Sequence, residues 1–243
     1  MARSGVASRR AADALIASGS VLVNGKRPPK SGALVDPDQD AVTVDGRRVK
    51  PPTTHRYLML NKPLGVITTA KDEANRKTVL DVVGEEGSHG HRIYPVGRLD
   101  GDSSGLLLLT DDGDLSYRLT HPRYGVAKEY AVTVAGIPLA RELEVLRRGV
   151  KLDDGMTAPA EVDVVRATKG DRESGRAELR IVITEGRHRQ VRRMLHAVGH
   201  KVVALERRAF GPLRLGRLKR GDWRVLSPGE VEALRRATGL EPS

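Results

Sequence analysis

Four consecutive leucines, Leu106 to Leu109, follow directly on a loop rich in Gly, Ser and Asp. A short apolar run that begins at turn residues is typical of a buried strand. Other strand-like segments alternate with segments of helical spacing, and they do so without a strict strand–helix–strand repeat. This pattern predicts a mixed α+β fold. The 243 residues can form one large domain or a small domain joined to a larger one.

The first 49 residues are predicted to form a small module. Ser8 can cap a helix that continues to about Ser18 and carries Arg9 and Arg10 at its start. Two short strands are predicted, each followed by an Asn-Gly or Asp-Gly turn, at 21–23 and 42–44. Residues 50–54 are predicted to be a linker, and residues 55–243 a larger domain.

The larger domain shows both strand and helix patterns. Strands are predicted at 57–60, 106–110, 129–134, 161–165 and 178–184. Helices are predicted at 78–83, 138–148 and 190–198. The polar stretch 168–175 is predicted to be a mobile loop.

The charge of the chain favours a polyanionic partner. Forty-two Lys and Arg stand against 31 Asp and Glu, which gives a net charge of +11. Residues 185–224 hold 12 basic and 3 acidic residues, and residues 1–50 hold 9 and 5, so the excess is concentrated in two places. A localised basic excess is typical of nucleic-acid binding.

Several classes of protein are excluded by what the sequence lacks. There is no cysteine, so disulfides, thiolate zinc sites and cysteine nucleophiles are excluded. The apolar runs fall well short of the roughly 18 residues of a spanning helix, and the N-terminus does not resemble a signal peptide. We therefore expect a soluble, cytoplasmic protein without a membrane partner. The seven histidines lack metal-site spacing, and neither a phosphate-binding loop nor a dinucleotide fingerprint is present, so no metal and no cofactor are expected.

The loop before the leucine run carries the first candidate site. Asp100 lies near the start of a predicted strand, where scaffolds often present catalytic groups, and Arg98 is close enough to pair with it. The alternative is a tight turn in which Asp100 or Asp102 caps backbone N–H groups. On these residues alone the turn is the simpler interpretation.

Two further segments are candidates. Tyr130 begins an alternating strand and could be a packing residue, but Lys128 beside it would suit an RNA-facing edge. On the predicted helix after residue 189, one face is apolar and the other carries the basic set Arg189, Arg192, Arg193 and His196. Like charges four residues apart repel, so this basic face favours a phosphate or carboxylate partner over a solvated surface.

Taken together, three segments resemble the active-site motifs of ribosomal RNA pseudouridine synthases. These are Gly97-Arg98-Leu99-Asp100 with Ser104 to Thr110, Lys128-Glu129-Tyr130, and Glu185-Gly186-Arg187 with Arg189 to Met194. The likeness is to the branch with an N-terminal S4 RNA-binding domain, which residues 5–49 resemble. The usual first S4 helix is almost absent, so either this module is shortened at its N-terminus or its true start lies upstream.

The resemblance implies roles for single residues. Asp100 matches the aspartate that attacks the target nucleoside, and Tyr130 matches the tyrosine that stacks on the flipped uracil and is the proposed base. Arg192 matches the basic residue that pairs with the aspartate, and Arg98 a position thought to help displace the base. Further RNA contacts are expected from Arg9, Arg10, Arg98, Lys128, Arg187, Arg189 and Arg193. The implied fold is a mixed, largely antiparallel sheet with a central cleft, and the implied enzyme needs neither cofactor nor metal.

The chemistry fits these residues. Isomerisation of uridine to pseudouridine adds and removes nothing, so a carboxylate nucleophile can suffice. A neighbouring arginine favours the ionised carboxylate. The target base must leave a duplex, which requires a pocket with a stacking aromatic.

Two other functions stay open at this point. The first is a catalytically silent factor that binds ribosomal RNA or assists ribosome assembly. The second is a carboxylate-based hydrolase of nucleosides or glycans, which would need a second acid such as Asp102 or Asp111. The expected substrate is large-subunit ribosomal RNA, free or in an assembling particle, with a small-subunit target still open, and a monomer is expected.

Overall fold

The computed structural model describes residues 1, 4–36, 39–50, 54–70, 72, 74–168 and 174–240. Most of the predicted linker, most of the predicted loop 168–175 and the side chain of Arg9 lie outside the described part. Within it, no helix is long and apolar enough to cross a membrane.

The N-terminal segment forms a helix and a small antiparallel sheet. Its elements are α1 (Arg9–Ser18), β1 (Val21–Val23), β2 (Val42–Val44) and β3 (Arg47–Val49), with strand order β1-β2-β3. The Ser8 side chain accepts a hydrogen bond from the Ala11 backbone N–H at 3.2 Å, as a cap for α1 should. Strand β3 was not predicted, because Arg47-Arg48 is exposed and shows no apolar alternation.

One large sheet dominates the rest of the described chain. In spatial order its strands are β10 (Glu161–Ala167), β11 (Arg176–Ile183), β7 (Lys128–Ala135), β12 (Val202–Phe210), β6 (Ser104–Thr110), β4 (Tyr57–Lys62) and β14 (Trp223–Val225), with β5 (Tyr94–Pro95) beside β6 and β13 (Leu213–Arg214) beside β12. Neighbouring strands are antiparallel except for β6 and β12. The mixed, largely antiparallel α+β fold is therefore confirmed.

Helices cover both faces of this sheet. They are α2 (Val79–Ser88), α3 (Gly113–Thr120), α4 (Ala140–Arg148), α5 (Gln190–Ala197) and α6 (Pro228–Ala237), and β8 (Lys151–Leu152) pairs with β9 (Gly155–Met156) in a separate hairpin. The leucine run explains the two layers. Leu107 and Leu109 belong to one buried cluster, while Leu106 and Leu108 belong to the other. Because successive strand side chains point to opposite faces, β6 is buried on both sides.

The junction between β6 and β12 lies at the centre of the sheet. The two strands run parallel only where Ser104 faces Glu206 and Gly105 faces Arg207. Gly105 has φ +106°, and a Cβ there would lie 2.3 Å from the Arg207 carbonyl oxygen, so only glycine permits this approach. The junction brings the loop before β6 next to β12 and β7.

Candidate active site

A cleft opens where the loop 96–103 meets β7, β12 and the segment before α5. Its volume is about 240 Å³. Six side chains in its wall matter below: Arg98, Asp100, Lys128, Tyr130, Arg189 and Arg207. The structure therefore brings residues from all three predicted motifs into one cavity.

The loop that carries Asp100 is anchored by backbone contacts. Thr68 Oγ1 donates to the Leu99 carbonyl at 2.6 Å, and Gly65 N–H donates to the Gly101 carbonyl at 2.7 Å. Ser103 N–H donates to the Asp100 carbonyl at 3.0 Å and closes a turn. Within the described contacts the Asp100 and Asp102 carboxylates accept no backbone N–H, so the capping interpretation of this turn is wrong. The Asp100 carboxylate is left facing the cleft.

The cation beside Asp100 is Arg189. Its Nη1 lies 3.6 Å from Asp100 Oδ2, and it also binds Asp102 at 3.0 Å. Arg189 is the residue just before α5 and has φ +50°, a left-handed conformation that non-glycine residues rarely adopt. This backbone conformation directs the guanidinium across the loop rather than along the helix. Strained backbone of this kind is concentrated at functional sites.

The predicted pairing of Arg192 with Asp100 is corrected by this geometry. Arg192 Nη2 donates to the Asp102 carbonyl oxygen at 2.7 Å and lies 3.3 Å from the Asp102 carboxylate. Hydrogen bonding from Arg189, helped by the charge of Arg192, holds the pKa of Asp102 below its usual value. Arg192 therefore supports the loop through Asp102, while Arg189 contacts both acids.

Lys128 and Tyr130 lie on the same face of β7 and are both buried. Tyr130 is the cross-strand neighbour of Arg207. Lys128 donates from Nζ to the Val126 carbonyl at 3.0 Å, and burial, followed by the charge of Arg207, lowers its pKa to about 8. Lys128 therefore lines the interior of the cleft instead of an outer edge of the sheet, and its contact with RNA stays a prediction.

Two buried cations were missed from the sequence. Arg207 is only 2% exposed, and its Nε donates to the Leu106 carbonyl at 2.7 Å. Lys62 is fully buried at the end of β4, where Nζ donates to the Val66 carbonyl at 2.8 Å. Burial lowers the pKa of Lys62 to about 8, although Asp100 and Asp102 act in the opposite direction. The sequence offered little signal for either residue, because Arg207 lies in the charged run Glu206 to Arg208 and Lys62 follows Asn61 at the end of a strand.

The predicted basic face of α5 is largely neutralised inside the protein. Arg193 binds Asp154 at 2.8 Å, and Arg187 contacts Asp154, Glu185 and carbonyls of the β8–β9 hairpin. The two arginines thus hold the hairpin against the segment before α5, and their contacts with RNA stay a prediction. The argument from like-charge repulsion foresaw an acidic partner but did not locate it within the chain.

Other predicted RNA-binding side chains remain exposed. Arg98 is exposed at the cleft and forms no ion pair with Asp100 or another acid in the described part of the chain. Arg10 is exposed at the start of α1.

Asp111 cannot be the second acid of a hydrolase. It follows β6 at the end opposite Asp100, and the seven residues of this strand span about 20 Å. Its carboxylate is bound by His91 at 2.8 Å and by His55 at 3.2 Å. Paired glycosidase carboxylates lie within about 10 Å of each other.

Comparison with known proteins identifies the family and the fold. The sequence profile described as RNA pseudouridylate synthase matches residues 56–197. A Bacillus subtilis protein named ribosomal large subunit pseudouridine synthase B is 43% identical over 97% of this chain and 93% of its own length. An Aquifex aeolicus protein named as an uncharacterized RNA pseudouridine synthase is 41% identical over 99% of this chain and 94% of its own. A solved structure titled as a pseudouridylate synthase has a TM-score of 0.68 at 29% identity and covers 96% of each chain.

The fold and the relatives define an enzyme that isomerises uridine in RNA. The chain belongs to the RNA pseudouridine synthase family. The family, the fold class and the isomerase activity expected from the sequence are thereby confirmed.

Proposed function

We propose that this protein forms pseudouridine in ribosomal RNA of the large subunit, with Asp100 as the nucleophile. The substrate is supported by the name of the Bacillus subtilis relative, which covers nearly the whole chain. The nucleophile is supported by one observation: the Asp100 carboxylate faces a cleft of nucleoside size with Arg189 at 3.6 Å.

The proposed reaction begins at the sugar. The Asp100 carboxylate attacks C1′ of the flipped uridine, and the bond from C1′ to N1 of uracil breaks with its electron pair on N1. The uracil then rotates, and C5 attacks C1′ while the Asp100 carboxylate leaves. The proton on C5 is lost and N1 gains one, so atoms and electrons balance without a cosubstrate. Arg189 pairs with the Asp100 carboxylate before it attacks and again when it leaves C1′ in the second displacement.

Tyr130 is proposed to stack on the uracil and to accept the C5 proton. It is the buried aromatic of the cleft wall on β7, and Asp100 lies in the same cavity. Stacking requires only the ring, whereas proton transfer requires the hydroxyl. Tyr130→Phe therefore separates the two roles, because the ring is retained and the hydroxyl is removed.

RNA is proposed to approach over the exposed basic residues around the cleft. Arg98 stands at the cleft with no acidic partner in the described contacts, so it can replace the target base in the duplex. The N-terminal module, residues 1–49, is proposed to act as an S4-like RNA-binding domain joined by residues 50–54. Its exposed Arg10 is available for phosphate contacts. A monomer acting in the cytoplasm on naked RNA or on assembling particles completes the proposal.

The test is release of tritium from ribosomal RNA labelled at C5 of uridine. Large- and small-subunit transcripts are compared, each naked and in particles, with wild type, Asp100→Asn and Asp102→Asn. We expect release from large-subunit RNA by wild type, none by Asp100→Asn and reduced but measurable release by Asp102→Asn. Mapping of the product then gives the target uridine.

The other outcomes are equally informative. Release by Asp100→Asn at the wild-type rate would remove its role as nucleophile. Release only from small-subunit RNA would overturn the proposed substrate. No release from any RNA or particle would favour the silent RNA-binding factor.

A further inference from the structure

Two buried cations lie together on the inner wall of the cleft. Lys128 on β7 and Arg207 on β12 line the same cavity, and both contact the Phe210 ring, at 5.4 Å and 5.0 Å from its centre. Both are more than nine-tenths buried. Buried charges in proteins are normally paired with an opposite charge.

Neither cation has such a partner among the described residues. Lys128 uses one of its three N–H donors, on the Val126 carbonyl. Arg207 uses Nε on the Leu106 carbonyl, but its Nη2 is buried without any hydrogen-bond partner. Glu185 is the acid that acts on Lys128 by its charge, yet its oxygens already accept from Gln190, Arg187 and the Ala158 N–H.

A role in stabilising the fold does not explain why Lys128 and Arg207 are buried side by side. One hydrogen bond from Arg207 to Leu106 would help to join β12 to β6, but it does not require a second cation beside it. The charge of Arg207 disfavours a charged Lys128, so the pair destabilises the free protein. An anion with several acceptor oxygens would satisfy the unused donors of both residues at once.

We propose that Lys128 and Arg207 form a subsite for a phosphate group of the RNA next to the flipped uridine. This inference rests on the proposed function, because the cleft must receive a nucleotide. Lys128 lies two residues from Tyr130 on the same strand face, about 7 Å along β7. A nucleotide whose base stacks on Tyr130 can therefore place a neighbouring phosphate against Lys128 and Arg207. The phosphate carries its charge throughout the reaction, so the subsite acts on binding more than on the chemical step.

The first experiment removes the negative charge of the RNA phosphate and, separately, the positive charge of Lys128. A large-subunit RNA fragment with the mapped uridine is made with a neutral methylphosphonate in place of the 5′ or the 3′ phosphate. Steady-state tritium release is measured for wild type, Lys128→Met and Lys128→Arg. We expect one methylphosphonate to raise KM of the wild type about tenfold with little change in kcat. Lys128→Met should raise KM similarly on normal RNA and be insensitive to that methylphosphonate, while Lys128→Arg stays sensitive.

Arg98→Met is the matched control, because it also removes a cation at the cleft. The methylphosphonate that raises KM of the wild type should raise KM of Arg98→Met by the same factor. Thermal unfolding of each variant shows whether the protein is folded. The subsite would be overturned if both methylphosphonates raised KM of Lys128→Met by the same factor as they raise KM of the wild type. It would also be overturned if Lys128→Met lowered kcat and left KM unchanged.

A second measurement does not depend on turnover. Calorimetric titration compares uridine with its 5′- and 3′-monophosphates on wild type, Lys128→Met and Lys128→Arg. We expect one monophosphate to bind wild type and Lys128→Arg at least fivefold tighter than uridine, and Lys128→Met to lose that preference. A preference seen without tritium release from any RNA would keep the subsite and reject the proposed reaction. Equal binding of all three ligands by wild type would reject the subsite.

Discussion

Arg189 reaches Asp100 across the cleft at 3.6 Å from a backbone with φ +50°, and this is the one ion pair of the Asp100 carboxylate in the described contacts. Arg192, three residues further on, binds Asp102 instead. The two arginines are close in sequence, but they stand in different relationships to the proposed nucleophile.

We expect Arg189→Gln to slow the reaction more than Arg192→Gln does. Arg189→Gln removes the ion pair with Asp100 and the charged hydrogen bonds to Asp102. Loss of such charged hydrogen bonds costs about 1.5–3 kcal/mol, which corresponds to roughly tenfold to a hundredfold in rate when the interaction acts in the transition state. Arg192→Gln should mainly weaken the loop through Asp102 and lower the free energy of unfolding. Single-turnover tritium release and urea unfolding measure the two effects. The reverse order of the two rate losses would restore Arg192 as the partner of Asp100.

Gly105→Ala should destabilise the protein strongly. The added Cβ would lie 2.3 Å from the Arg207 carbonyl oxygen and 2.6 Å from its nitrogen, and the residue has φ +106°. Both the clash and the backbone conformation oppose a side chain, so we expect a loss above about 3 kcal/mol in the free energy of unfolding.

Gly90→Ala is the matched control for that substitution. Gly90 also has a positive φ, +77°, but no atom lies within 4 Å of a Cβ placed there. Its loss should be limited to the backbone strain, about 1–2 kcal/mol. Urea unfolding of both variants separates the clash from the strain, and equal losses would show that the β6–β12 approach is not as tight as described.

The titration of Lys128 should appear in the pH dependence of stability. Its pKa falls from its usual value to about 8 on folding, so the unfolded chain holds more protons than the folded protein between about pH 8 and 10.5. Stability must then rise with pH in that window, by on the order of 2 kcal/mol from this group, and be flat below it. The difference in unfolding free energy between wild type and Lys128→Met, measured from pH 7 to 10, isolates this contribution. A difference that does not change with pH would contradict the buried position of Lys128.

Elements marked by residues next to each other in the sequence were predicted correctly. Features that depend on contacts between residues far apart in the sequence were missed. The run Leu106 to Leu109 and the cap at Ser8 follow from residues next to each other, and both predictions were confirmed. Strand β12 was missed because Glu206, Arg207 and Arg208 interrupt its apolar pattern, although it is central in the sheet.

The site shows the same division between local and distant information. Motif residues were placed in one cleft correctly, but the partner of each arginine depends on three-dimensional contacts. Arg189 was taken as the first residue of a helical face, whereas its left-handed backbone turns it toward Asp100. Arg193 meets Asp154, a residue 39 positions away, so its neutralisation is invisible in a helical projection.

Salt dependence of RNA binding should distinguish Arg98 from Arg193. Arg98 is exposed without an acidic partner in the described contacts, whereas Arg193 is bound to Asp154 at 2.8 Å. Each phosphate contact releases counterions, so its loss lowers the slope of log affinity against log salt by about 0.7–0.9. We expect Arg98→Ala to weaken binding and to lower the slope by that amount, and Arg193→Ala to leave the slope unchanged. Fluorescence anisotropy with an rRNA fragment from 50 to 300 mM salt measures both. A lower slope for Arg193→Ala would mean that RNA displaces Asp154, and the basic face of α5 would then regain the RNA-binding role expected from the sequence.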